Sequence, residues 1–193
     1  FGPIGSEDTP HPKQRRIAVQ RDEFFWLSAI NKATVVVNRA EGLIGDDTAR
    51  LAARGIRAVE EAAAADPAKR VKTYITYEPL LIEATSPEVT LIHAGRSSQD
   101  MLSTVRMAID RDEALVFAHA FDAVLEKLIA LAEAHRDTIV PNYTNGVAAQ
   151  PNSYGHYLLG FIHAFLRNRE RLDECLVRYD RSSMGATVLN GTG

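Results

Sequence analysis

Cysteine is almost missing from this sequence. Cys175 is the only one in 193 residues, which rules out an internal disulfide and any cysteine-rich metal site, and fits a reducing, cytoplasmic setting. Long apolar runs are missing too. No stretch approaches the roughly 20 residues a membrane-crossing helix needs, and no early segment joins a basic head to an apolar run of signal-peptide length, so no membrane association is expected. The triplets NYT and NGT match the glycosylation sequon, but with no secretory signal they are read as chance matches. Neither charge is in excess: 22 Lys and Arg against 25 Asp and Glu give a net charge of −3 and a pI near 6.1. Nothing therefore draws the chain broadly toward nucleic acid or an anionic membrane, and any anion that binds must be held locally. No internal repeat is visible.

The composition is that of an ordinary soluble globular protein, 46% apolar and 24% charged, long enough for a domain or a domain and a half with a sizeable core. The start, FGPIGSEDTPHPKQRR, carries three prolines and two glycines in a polar background and reads as an extended arm, residues 1–22. DEFFWLSAINKATVVVNRAEGLI has an acidic head and apolar residues at Phe25, Ala29, Ala33, Val36 and Val37, a helical spacing weakened by its run of β-branched valines. GDDTARLAARGIRAVEEAAAA offers Asp46 or Asp47 as N-cap for an alanine-rich helix ending before Pro67, and the two segments are expected to form a helical hairpin. Val71 to Ala84 is open between a short helix and a strand, with Pro79 arguing against a central strand.

From about Ser98 to Asp137, apolar residues at mostly three- and four-residue steps predict one helix roughly 60 Å long. TIVPNYTNGVAAQPNSYG interrupts it as a polar loop, and HYLLGFIHAFLRNRERLDECLVRY resumes with Leu158, Phe161, Ile162, Phe165, Leu172, Leu176 and Tyr179 on one face. Two such helices leave most of their apolar surface wet, so helices from another copy, or from chain beyond these residues, are expected to cover it. The expected fold is all-α: an N-terminal helical domain over 23–96, followed over 97–193 by the first long helices of a bundle.

Two polar islands could carry chemistry. In HAGRSSQDM, a serine capping the long helix would leave first-turn amides pointing outward with the positive end of the helix dipole behind them, a site for a carboxylate or phosphate. Ser97, Ser98 and the Gln99 amide would add orientable hydrogen bonds, while Arg96 would supply charge or brace the loop. The plainer alternative is one capping serine and a structural Arg96–Asp100 pair. In NYTNGVAAQP, Thr144, Asn145 and Gln150 are hydrogen-bonding groups on a connection, or simply the residues a turn needs.

Taken in order, HAGRSSQDM, then ALAEAHRDTIVPNYTNGVAAQPNSYGHYLLGFIHAFLRNRERL, then MGATVLNGTG resemble the argininosuccinate lyase branch of the fumarase/aspartase superfamily. That branch reads approximately HTGRSRND, then PGYTHLQRAQP with FGHHLL and RDRERL, then LGAGALAGT. The resemblance runs from about Phe24 to the end and is strongest from His93 onward. It implies an all-α first domain, a central long-helix bundle and a homotetramer whose active sites are each shared among subunits.

The implied reaction is elimination of fumarate from an N-substituted aspartate, a small dicarboxylate-type substrate, with no metal and no organic cofactor. On this resemblance Ser97 matches a serine that holds substrate, Ser98 stands where the family has Arg, and Gln99 where it has Asn. Thr144 matches a threonine that contacts a substrate carboxylate, Gln150 matches the second glutamine of its loop, and Asn145 takes the place of a histidine. His93 matches the histidine before the first motif and is the candidate for proton handling, with Thr144 and Asn145 beside it as catalytic candidates and Arg96, Ser97, Ser98, Gln99, Thr144 and Gln150 as substrate-binding ones.

Asn145 cannot exchange a proton near neutral pH, and Ser98 lacks the charge of Arg, so the implied substrate is not argininosuccinate itself. The family's third region, a mobile loop carrying a catalytic serine, does not occur in these residues, which read as the N-terminal half of a longer enzyme. Two other readings share the fold: a non-catalytic scaffold or binding protein, which Asn145 favours, and a cycloisomerase.

Overall fold

The computed structural model describes residues 21–187, 189 and 191. Residues 1–20 of the expected arm lie outside them. The elements run α1 (Glu23–Ala40), α2 (Asp46–Ala65), a 3-10 turn (Pro67–Lys69), α3 (Tyr74–Ala84), a 3-10 stretch (Pro87–His93), α4 (Ser98–Ala134), β1 (Ile139–Thr144), β2 (Val147–Ser153) and α5 (Tyr154–Tyr179). The fold is predominantly α-helical, with one small hairpin. Two compact units divide it: the described residues up to Asp110 together with those from Arg181 onward, and Arg111–Asp180.

The first unit is built on α1, α2 and α3. Asp22 caps α1 by accepting the Phe25 N–H at 3.0 Å, and Arg70 grips the same carboxylate with two bonds of 2.6 and 2.8 Å, so one side chain both starts the helix and ties it to the α2–α3 connection. The valine run stays helical because only Val35 faces the core; Val36 and Val37 are exposed. In α2 the buried residues Ala49, Ala52, Ile56, Val59 and Ala63 recur at three- and four-residue steps. Its cap is Gly45, not Asp46 or Asp47 as expected from the sequence. Both aspartates fall inside the first turn, where their charge suits the helix dipole and where Asp46 pairs with Arg39 at 2.6 Å.

The ambiguous segment resolves as helix α3. Its buried Tyr74, Tyr77 and Leu81 lie on one helical face, and Pro79 stands on the exposed side. Ile92, Met101 and Val105 complete this core.

In the second unit α4 ends at Ala134, three residues before the expected Asp137. The expected polar loop is instead an antiparallel hairpin, β1 with β2. Its turn has the geometry that two-residue hairpins demand: Asn145 at φ +52° and Gly146 at φ +80°, both left-handed, between the paired Thr144 and Val147.

After the hairpin, Ser153 caps α5 by accepting the His156 N–H at 3.1 Å. Leu125, Ala132, Leu158 and Ile162 form the unit's small core. Arg169 crosses from α5 to Asp122 of α4 at 2.6 and 3.2 Å, so the charged RNRERLDE segment holds a bridge as well as a solvated face. His156 and His163 are both exposed; His156 bonds Asn152 through Nδ1 at 2.6 Å. Phe117, Val124, Tyr157 and Phe161 are about half exposed, at 58, 52, 49 and 49%. Among the described residues, no helix is long and apolar enough to cross a membrane.

Candidate functional site

The 3-10 stretch ending at His93 turns through Gly95, at φ +73°, into α4. The positive φ suits a residue without a Cβ and sets Arg96 and the two serines around the helix start.

Ser97 and Asp100 cap each other. The Ser97 hydroxyl accepts the Gln99 and Asp100 amides at 3.3 and 3.4 Å, while Asp100 Oδ1 accepts both the backbone N–H and the hydroxyl of Ser97 at 2.7 Å. The Ser97 proton is therefore committed within the cap. Asp100 Oδ2 accepts the Gly185 N–H at 3.0 Å, and Ser183 donates to the Asp100 carbonyl at 3.3 Å, fastening the 183–185 segment to the first turn of α4. Burial works to raise the Asp100 pKa, but hydrogen bonds from the Ser97 side chain, the Ser97 backbone and the Gly185 backbone outweigh it and hold the carboxyl below its ordinary value.

Arg96 does not pair with Asp100 by hydrogen bond. Its Nη1 donates to Thr34 Oγ1 at 2.8 Å, its Nη2 to Asn31 Oδ1 at 3.1 Å, and its guanidinium lies 5.7 Å from the Tyr74 ring centroid. It thus braces the turn against α1. Burial lowers its pKa to about 10, opposed by the charges of Asp100 and Glu78, so it remains a cation at neutral pH. His93 Nδ1 is hydrogen-bonded to the Tyr74 hydroxyl and lies 3.7 Å from Glu78 Oε2. Burial, with the Arg96 charge adding to it, pushes this imidazole down to about 3, and the ring is neutral at pH 7. Among the described residues, His93 Nε2 and Arg96 Nε are buried without a hydrogen-bond partner.

A cavity of about 410 Å³ is lined by His93, Arg96, Ser97 and Ser98 together with Tyr74, Glu78 and Met101. Four of the sequence candidates therefore meet in one place. Gln99 is exposed in the first turn of α4 and outside the lining. Sequence reasoning missed Tyr74 and Glu78. They stand four residues apart on one face of α3, a relation that could be read only once that segment was known to be helix.

Thr144, Asn145 and Gln150 belong to the second unit and are exposed. Asn145 forms the hairpin turn. Gln150 lies at an irregularity where the register slips between Pro141↔Pro151 and Tyr143↔Ala148, leaving one more residue on β2 than on β1. Among the described residues, no group of three or more His, Cys, Asp or Glu could hold a metal ion.

A family model described as a lyase matches residues 10–193. Argininosuccinate lyase 1 of Shouchella clausii is 31% identical over 181 residues, a match covering 89% of this chain and 35% of that protein. Among solved structures, EDDS lyase in complex with formate has a TM-score of 0.81 at 30% identity, covering 89% of this chain and 34% of its own. A β-carboxy-cis,cis-muconate cycloisomerase from Acinetobacter calcoaceticus shares the fold, with a TM-score of 0.72 at 18% identity. The chain spans about a third of the length of the curated relative and of EDDS lyase.

Proposed function

The chain belongs to the lyase family whose model covers residues 10–193, within the fumarase/aspartase superfamily, and on that footing we propose that the protein is a carbon–nitrogen lyase releasing fumarate from an N-substituted aspartate other than argininosuccinate. The observation that carries this reading is the cavity at the start of α4, where a half-buried cation, a neutral histidine and a helix N-terminus converge. In such an elimination a base removes the proton beside a carboxylate, and fixed donors stabilise the aci-carboxylate that results. An acid then protonates the leaving nitrogen.

In this reading the Ser98 hydroxyl, the Arg96 charge and the first-turn amides hold an acid group. Ser97 keeps the turn in shape through its bonds to Asp100, Gln99 stands at the rim, and His93 touches substrate. Thr144, Asn145 and Gln150 reach the site from the hairpin of another copy within a homotetramer. The half-exposed Phe117, Val124 and Phe161 support that assembly, because helices from other copies would take them out of water. The lone exposed Cys175 supports a cytoplasmic location.

A second reading, a non-catalytic binding protein, is favoured by Asn145. Its left-handed turn geometry gives that residue a structural purpose without any catalytic one.

The test is a panel of N-substituted aspartates followed by the ultraviolet absorbance of fumarate, with sedimentation to establish the assembly. Fumarate from one or more members supports the lyase. An intact tetramer that releases none across the panel supports the binding protein instead.

A further inference from the structure

We propose that Tyr74 is a positioning residue: its hydroxyl donates to His93 Nδ1 and so fixes the imidazole as a neutral Nε2–H donor for an acid group entering the cavity at the start of α4. This rests on the reading of that cavity as the acid-binding part of the site.

Tyr74 is buried at 8% exposure, and its ring stands nearly perpendicular to the imidazole, with centroids 4.3 Å apart and planes at 74°. A phenol has one proton to give, and the Nδ1 lone pair is the acceptor at hand. With Nδ1 accepting, the ring proton must sit on Nε2. The titratable and charged groups facing the ring among the described residues are Tyr74 and Glu78 on α3 and Arg96 on its own turn. Glu78 would draw a proton to Nδ1, Arg96 opposes a second proton, and the Tyr74 hydroxyl, in direct contact, settles which nitrogen bears the first. On the far side of the imidazole Nε2 is buried without a partner among the described residues, as is Arg96 Nε, and both residues line the same cavity.

The consequence is specific. A base at this position would need a free imidazole lone pair, and here the tyrosine occupies the one that is left. His93 then supplies a directed neutral hydrogen bond and Arg96 a charged one, a pairing that suits a carboxylate. The base of the proposed elimination is to be sought elsewhere. The Arg96 guanidinium also lies over the Tyr74 ring, 5.7 Å from its centroid, so one ring faces both donors.

The experiment is long-range proton–nitrogen NMR on protein labelled in histidine, which distinguishes the two neutral tautomers and the imidazolium. The wild type is expected to show His93 as Nε2–H, unchanged between about pH 5 and 8. Tyr74→Phe keeps the ring and removes the hydroxyl; it should shift the proton toward Nδ1, facing Glu78, and weaken succinate binding by roughly 2- to 10-fold. Tyr77→Phe, which loses a buried hydroxyl on the same helix, should leave the His93 tautomer as it was. Succinate at saturation should move the Nε2–H resonance.

An Nδ1–H or charged His93 in the wild type overturns the proposal. So does a tautomer unaltered in Tyr74→Phe, or an Nε2–H indifferent to bound succinate. If succinate does not bind while both tautomer results are as expected, the acid-binding reading of the cavity falls and the assignment of Tyr74 stands.

Discussion

Asp100→Asn isolates the contact that holds the candidate site together. The carboxylate is 4% exposed and accepts three hydrogen bonds, two from Ser97 at 2.7 Å and one from the Gly185 amide at 3.0 Å. An asparagine has one acceptor oxygen and one donor NH₂ in the same shape. Its better orientation keeps the oxygen toward the two Ser97 donors and sets the NH₂ against the Gly185 N–H, donor facing donor. One charge-assisted bond is lost outright, worth about 1.5–3 kcal/mol, and the favourable charge at the helix start, worth about 0.3–1 kcal/mol, goes with it.

The first unit should therefore lose about 2–4 kcal/mol, read as a lowered urea midpoint at unchanged slope. Hydrogen exchange at the Gly185 amide should quicken more than exchange in α2. The pH dependence gives a second check. Because the folded carboxyl sits below the ordinary 3.8, its contribution is fully present above that pH and is lost as the pH falls through the folded value. The gap between wild type and Asp100→Asn should accordingly close in acid. A loss below about 0.5 kcal/mol, or a gap that persists when Asp100 is protonated, would refute the reasoning.

Four further outcomes follow from the packing and the backbone. Gly155→Ala would place a Cβ 2.6 Å from the Ala132 carbonyl oxygen and 2.9 Å from Arg136 Cα, backbone atoms that no rotamer change moves, so it should cost about 1–3 kcal/mol in thermal unfolding. Gly160→Ala on the same helix meets nothing within 4 Å and should instead stabilise by up to about 1 kcal/mol; equal effects from the two would undo the argument. Ser28→Ala strips the buried Tyr77 hydroxyl of its 2.9 Å partner and should destabilise by about 1–3 kcal/mol in urea titration, whereas Ser28→Thr should recover part of the loss. Asn145→Val forces a β-branched residue into φ +52° and should cost about 1–2 kcal/mol, seen as weakened cross-strand contacts between Thr144 and Val147 by NMR while α1 to α3 are untouched.

Much of the helical fold was legible because it is written locally. Apolar steps of three and four marked α4 and α5, and alanine content and Pro67 marked α2. α1 is the helix expected, although the steps through Ala33, Val36 and Val37 prove to be its exposed side. A serine cap at the start of α4 was readable, but the partner the sequence suggested for Asp100 was Arg96, not Ser97. Local signals were insufficient where two structures suit the same residues. Tyr74 to Ala84 became helix because Tyr74, Tyr77 and Leu81 found a core to face. Val147 to Ser153 became a strand because the Asn145–Gly146 turn folded it back on Ile139 to Thr144, and a polar stretch with two prolines concealed that pairing.

The polar residues of the first motif, from His93 to Gln99, could be singled out from the chain as a helix cap or an anion site, because hydroxyls, an amide and a guanidinium crowd at a helix start there. Their partners could not. Arg96 reaches Asn31 and Thr34, 65 and 62 residues away, and His93 meets Tyr74 across 19, so the charge is braced and the imidazole hydrogen-bonded by side chains with no sequence relation to them. Periodicity and capping act within a turn or two of the chain, and they set which elements form. The protonation of His93 and the direction of Arg96 depend on burial and on neighbours that exist only once α1 and α3 have packed around the start of α4.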